Sequence, residues 1–133
     1  MRYLLMVSHA QLAEGVRSAL EMLMGPRDHV VALGMTEDDT PDTFCARVSE
    51  TFGDLAASDE VVILGDIAGG SPLTCAAQAL DSLGFSEHYV AFGGLNLPMA
   101  IGAIMSLADE LDLDAVRDGV LANGTDAVCE WHK

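Results

Sequence analysis

The sequence predicts an α/β domain built on an open, mostly parallel sheet with helices on both faces. Three observations carry this reading. Apolar runs and helical periodicity alternate four times in succession, the pattern of βα units. The third apolar run, EVVIL, is apolar throughout its centre, as a strand covered on both faces requires. The 133 residues, half of them hydrophobic, suit one compact domain spanning residues 1–133 with a real core.

The elements follow in order. YLLMVS at 3–8 reads as a buried strand. In the next segment Leu12, Val16, Leu20 and Leu23 recur at helical spacing, and Gly25-Pro26 ends the helix. HVVALG at 29–34 is a second strand. Thr40-Pro41 opens a second helix whose core face is Phe44, Val48, Phe52 and Leu55. EVVILGD at 60–66 is the third strand. The third helix opens at Ser71-Pro72, with Ser71 placed to cap and Gly84 placed to stop it. EHYVAFGG at 87–94 is the fourth strand, followed by an apolar helix at 97–111 and a shorter one after it. TDAVCEW at 125–131 reads as a last strand with no helix behind it.

Charge narrows the function classes. Twenty-one acidic residues stand against six Lys and Arg, a net charge of −15. Phosphate backbones need clustered cations, so nucleic acid is excluded as a partner. A free anionic metabolite meets a repelling field, whereas a basic protein is steered in. The apolar runs fall short of a membrane span, and the N-terminus lacks the form of a signal peptide. Cys45, Cys75 and Cys129 are scattered and read as small core residues of a reduced, cytoplasmic protein. The methionines Met22, Met24, Met99 and Met105 fall in helix patterns and are assigned to the core.

In open α/β sheets the chemistry collects at the carboxyl ends of the strands. That rule selects the loops SHAQ, GMTEDD, GDIAGGSP and GGLNLP. His9 and Asp66 occupy matched positions at the ends of strands one and three. If those strands are neighbours the side chains can meet. The carboxylate then holds one ring nitrogen and leaves the other as a nucleophile. The plainer alternative is that His9 bonds the backbone or caps the following helix. Gly69 and Gly70 can expose backbone amides, Ser71 offers a hydroxyl, and the helix behind them points its positive end outward. This suits a phosphoryl group on His9, although a tight turn with a good cap looks much the same. The loop lacks the G-K-[ST] of a Walker loop and the G-x-G-x-x-G of dinucleotide folds. His29, His88 and His132 lie away from these loops and read as structural, and no spacing suggests a metal.

Five segments together resemble a known family: VSHAQLAEGV, EMLMG, LGDIAGGSPLTCAA, GGLNLPM and the late GTDAV, in order over almost the whole chain. The chain is similar to the IIA component of the mannose-type family of the phosphoenolpyruvate-dependent sugar phosphotransferase system (PTS). The resemblance implies strand order 2-1-3-4 and a homodimer in which a C-terminal antiparallel strand is exchanged onto the partner's sheet edge. It implies that His9 is phosphorylated on Nε2, that Asp66 orients the ring through Nδ1, and that Ser71 with Gly69 and Gly70 binds the phosphoryl group. It implies HPr as donor and a IIB protein as acceptor, with the membrane IIC and IID subunits reached indirectly. No cofactor and no metal is needed.

Met35, Asn96 and Pro98, in the loops after strands two and four, are assigned to partner contact. No IIB domain is expected after residue 133, so IIB would be a separate chain. Ala10 replaces a frequent family glycine, and Ile67-Ala68 replaces a bulkier pair. These departures bear on partner fit. Two other functions fit the same residues, a regulatory phosphorylation sensor without transport and a module that binds an anion non-covalently. A kinase-linked branch of the family is disfavoured by the NLPM segment.

Overall fold

A computed structural model describes residues 1–108 and 111–133. Strands β1 (Arg2–His9), β2 (Val30–Met35), β3 (Glu60–Gly65) and β4 (Tyr89–Phe92) alternate with helices α1 (Leu12–Met24), α2 (Pro41–Thr51), α3 (Ser71–Ser82) and α4 (Leu97–Leu107). A fifth helix, α5 (Leu113–Asp126), follows α4. The strands form one parallel sheet in the order β2-β1-β3-β4. The predicted architecture and strand order are therefore present.

Side-chain alternation along the strands builds two cores. Leu4 and Met6 of β1 join Val62, Leu64, Val90 and Phe92 against α1, α4 and α5. Leu5 and Val7 join Val61 and Ile63 against α2 and α3. Strands β1 and β3 are apolar on both faces because both faces are covered.

Local signals explain the helix ends. Thr40 and Thr43 form a reciprocal capping box, with Pro41 in the first turn of α2. Asn96 and Asp112 cap α4 and α5 by accepting from the Met99 and Ala115 amides. Gly25, at φ 81°, closes α1. Its amide donates to the Glu21 carbonyl.

Several expectations need correction. On α1, Leu12 and Leu23 are exposed and Ala13 and Leu20 are buried, with Val16 and Met24 packed beside them. Val16 and Leu20 keep the expected face, while Ala13 and Met24 take the places expected for Leu12 and Leu23. Met22 and Met105 point outward, as does Cys129, while Cys45 is half-buried. Residues 109–110 of the expected fourth helix lie outside the described residues. The strand expected at 125–131 does not form: Thr125 and Asp126 continue α5, and 127–133 carry no regular structure. A strand needs a neighbour for its backbone groups, and among the described residues no strand pairs with that segment. Among the described residues no helix is long and apolar enough to cross a membrane.

Candidate functional site

Parallel pairing brings the strand ends to one edge in a fixed order. His9 stands in register with Met35, and Val7 with Gly65, so the turn beginning at Asp66 lies beside His9. The two side chains meet: the His9 ring Nδ1 is 2.8 Å from Asp66 Oδ2. The same oxygen accepts from the His9 backbone amide at 2.9 Å. The other oxygen, Oδ1, accepts from the Ile67 amide at 2.9 Å. Three N–H groups thus converge on one carboxylate. That of the His9 ring comes from Nδ1–H, because an ionised carboxylate can only accept. The remaining nitrogen, Nε2, then carries a lone pair.

The Asp66 side chain is only 10% exposed, and the His9 side chain is 50% exposed. Burial pushes the Asp66 carboxyl up. The His9 amide, the His9 ring, the Ile67 amide and the charge of His9 outweigh it, so the pKa lies below the usual carboxylate value. Asp66 is therefore a fixed anion at neutral pH, holding a half-exposed imidazole in one orientation.

The glycine turn occupies the other side of the ring. Gly69 has φ +78°, a conformation that favours glycine. A Cβ on Gly70 would lie 3.4 Å from His9 Cε1, the ring carbon next to Nε2. The start of α3 is therefore packed against the histidine. The cap of α3 is Gly70, not Ser71 as expected; Ser71 is the first helical residue and Pro72 the second. Gly70 has no side chain to cap with. Among the described residues no protein group accepts from the Ser71 or Leu73 amides. Two donors at the positive end of α3 thus remain for an anion. The loop after β4 braces this turn, with Gly94 and Leu95 amides donating to the Asp66 and Gly65 carbonyls.

Three further residues were assigned to partner contact. Met35 ends β2, is half-buried, and packs on the α2–α3 core. Pro98 is exposed in the first turn of α4. Asn96 is committed within the chain: it caps α4 and its amide group donates to the Gly124 carbonyl at 3.3 Å.

Ala10 is noted in the sequence as standing where the family often has glycine, but its contact with Gly34 is not expected there. Ala10, directly after His9, has φ 50°, the left-handed region that a side chain disfavours. Its amide donates to the Met35 carbonyl at 2.8 Å. Its carbonyl presses on Gly34, where a Cβ would come within 2.0 Å of the oxygen. Only glycine at 34 admits this approach. The His9 backbone is thus gripped on one side by Asp66 and on the other by the Ala10–Gly34 contact. The glycine closing the HVVALG run was the available signal.

Residues 3–121 match the EIIA-man family, described as PTS system fructose IIA component. The PTS system mannose-specific EIIAB component of Escherichia coli K12 is 25% identical over 121 residues, covering 91% of this chain and 36% of the relative. The chain thus spans about a third of the length of the curated relatives it matches. A crystal structure of phosphotransferase system component EIIA from Streptococcus agalactiae superposes with TM-score 0.86 at 22% identity, covering 98% of this chain and 97% of that one. The PTS IIA protein associated with the fucose utilization operon of Streptococcus pneumoniae gives TM-score 0.79 at 25% identity, covering 97% and 92%.

Two stability measurements test the geometry. Ala10→Gly relieves left-handed strain of about 1–2 kcal/mol and gives back part of it as unfolded-chain entropy. The variant should gain up to about 1 kcal/mol in urea unfolding. A loss of stability would show that Ala10 is not strained. The second measurement is pH dependence. A carboxyl whose folded pKa is depressed stabilises the fold above its unfolded value, near ~3.9, and loses that contribution as pH falls through the folded value. The stability difference between the parent and Asp66→Asn should therefore shrink as pH falls below about 4. A difference that stays constant to pH 2 would place the Asp66 pKa at its ordinary value.

Proposed function

The chain belongs to the EIIA-man family of PTS IIA components, and from that premise we propose that it is a phosphoryl carrier that accepts phosphate from phospho-HPr on His9. The observation that supports this most directly is the Asp66 carboxylate bonded to both the amide and the Nδ1 of His9. It leaves Nε2 as the nucleophile, half-exposed and next to the open start of α3.

In the forward step the Nε2 lone pair attacks the phosphorus of the donor phosphohistidine in line. The new P–N bond forms as the donor's P–N bond breaks, and the donor imidazole leaves with its electron pair. Attack makes the His9 ring cationic, and the Asp66 anion at Nδ1–H stabilises that charge. The Ser71 and Leu73 amides receive the phosphoryl oxygens, with the Ser71 hydroxyl beside them. Catalysis is mostly positioning and charge stabilisation, as in other phosphoryl transfers. The reverse geometry passes the group to a IIB protein and, through it, toward sugar entering by the membrane IIC and IID subunits.

The chain works in the cytoplasm, where this relay operates. It acts as a homodimer whose C-terminal segment adds to the partner's β4 edge. An unpaired sheet edge favours such addition, and Val128 and Trp131 are 81% and 78% exposed on that segment.

The test is phosphorylation by enzyme I, HPr and labelled phosphoenolpyruvate. The parent chain should take up an acid-labile label, and His9→Ala should take up none. Label on a histidine of His9→Ala would refute the assignment, and no label on the parent would favour non-covalent anion binding. Asp66→Ala should fold and transfer about 100-fold more slowly in both directions, the scale of loss expected when a reacting group is misplaced. An unchanged rate would remove Asp66 from the mechanism.

A further inference from the structure

A cleft of about 380 Å³ opens beside the His9 loop where the two helical layers part at the β2 edge. Its floor is Ala32, Leu33 and Gly34. One wall is Ala10, Gln11 and Glu14, and the other is Thr36, Glu37 and Arg47. It shares Ala10 and Gly34 with the contact that grips the His9 backbone.

The charges of this cleft are unequal. Arg47 is neutralised within the chain: it bonds Asp39 at 2.8 Å and the Gly34 carbonyl at 3.1 Å. Glu14 bonds Arg17 at 3.1 Å, but Arg17 also faces Glu21 at 3.8 Å, so that trio keeps one negative charge. Glu37 has no ion pair among the described residues, and Asp38 follows it in sequence. The cleft therefore has an apolar floor and a net negative rim with carboxylates on both walls.

An arginine or lysine side chain matches that pattern. Its aliphatic stem covers apolar surface while its charged head stays at the polar edge. Strand addition at the β2 edge fits less well, because Arg47 already occupies the Gly34 carbonyl. The excess of acid over the whole chain also selects for a basic partner.

We propose that this cleft is a docking socket for a basic side chain of the protein that delivers phosphate to His9. The inference rests on the carrier reading above. The socket lies on the α1–α2 side of His9, so its occupant would register the donor against the ring without touching the phosphoryl group.

The experiment measures transfer from phospho-HPr to the full chain at several donor and salt concentrations. Glu14→Gln with Glu37→Gln should lower kcat/KM about tenfold, with the change in KM, and should flatten the salt dependence. Gln11→Trp, which obstructs the rim without altering charge, should raise KM similarly. Asp54→Asn with Glu87→Gln removes two exposed charges at the opposite ends of the strands and should leave KM within twofold. The proposal is overturned if either cleft variant keeps the parent KM, or if the remote variant raises KM as much. In those cases label still appears on His9 and the carrier reading stands. If the parent itself takes no label, both readings fall.

Discussion

The parallel pairing of β1 with β3 is the constraint on which the site depends. His9 and Asp66 are 57 residues apart in the chain, and no local segment could hold them at 2.8 Å. Placing β1 between β2 and β3 puts the end of β1 in the centre of the sheet edge. There it is reached from one side by Met35 and Gly34 and from the other by Asp66. The same pairing requires a sheet buried on both faces, which is why Leu4 to Val7 and Val61 to Leu64 are apolar without interruption. A slip of one residue between β1 and β3 would exchange the two cores and pull the carboxylate from the ring together. Core packing thus protects the register, and the register places the chemistry.

Asp66 and the start of α3 divide the electrostatic work. The carboxylate is satisfied by three N–H groups from its own chain, so it has little capacity to capture an outside cation. The helix start is the reverse: its capping residue is a glycine and its first donors have no protein partner. A side-chain cap in place of Gly70 would stabilise α3 by only a few tenths of a kcal/mol. Its absence leaves the donors open for an anion. These two features hold the His9 ring in one orientation beside amide donors that have no protein partner. The amide of Ile67 and the carbonyl of the same residue, which accepts from Gly70, stitch the carboxylate to the turn.

The strands and the site pair were legible because they rest on local signals. EVVIL and YLLMVS are continuous apolar runs, and the rule for strand ends then nominates His9 and Asp66 from a handful of residues. What escaped was decided by close packing. Leu12 looks like a core residue, but the helix turns Ala13 to the core and leaves Leu12 half-exposed. Gly34 looks like a strand end, yet it is a gap for the Ala10 carbonyl. Neither contact changes the hydrophobic period, and a single glycine at 34 is a weak signal of the second. Ser71 was read as a cap because Ser-Pro often opens a helix, and the helix instead begins one residue earlier than that reading allows. The tail at 125–131 carries strand-forming residues, but strand propensity acts only where a neighbour is available.

A net charge of −15 and the proposed phosphoryl site are compatible because they act over different distances. At physiological salt, fields from exposed charges decay over ~8 Å, so the distant carboxylates contribute little at the His9 ring. Amides within hydrogen-bond reach act there undiminished. Beyond that range the order reverses, and the summed acidic charge governs which molecules arrive. A small free anion is repelled before it meets the α3 amides, whereas in the proposed function a phosphoryl group on a basic protein would be brought in by its carrier. On the proposed reading the acidic surface thus filters the form in which phosphate is presented, and the few donors at the turn need no selectivity of their own.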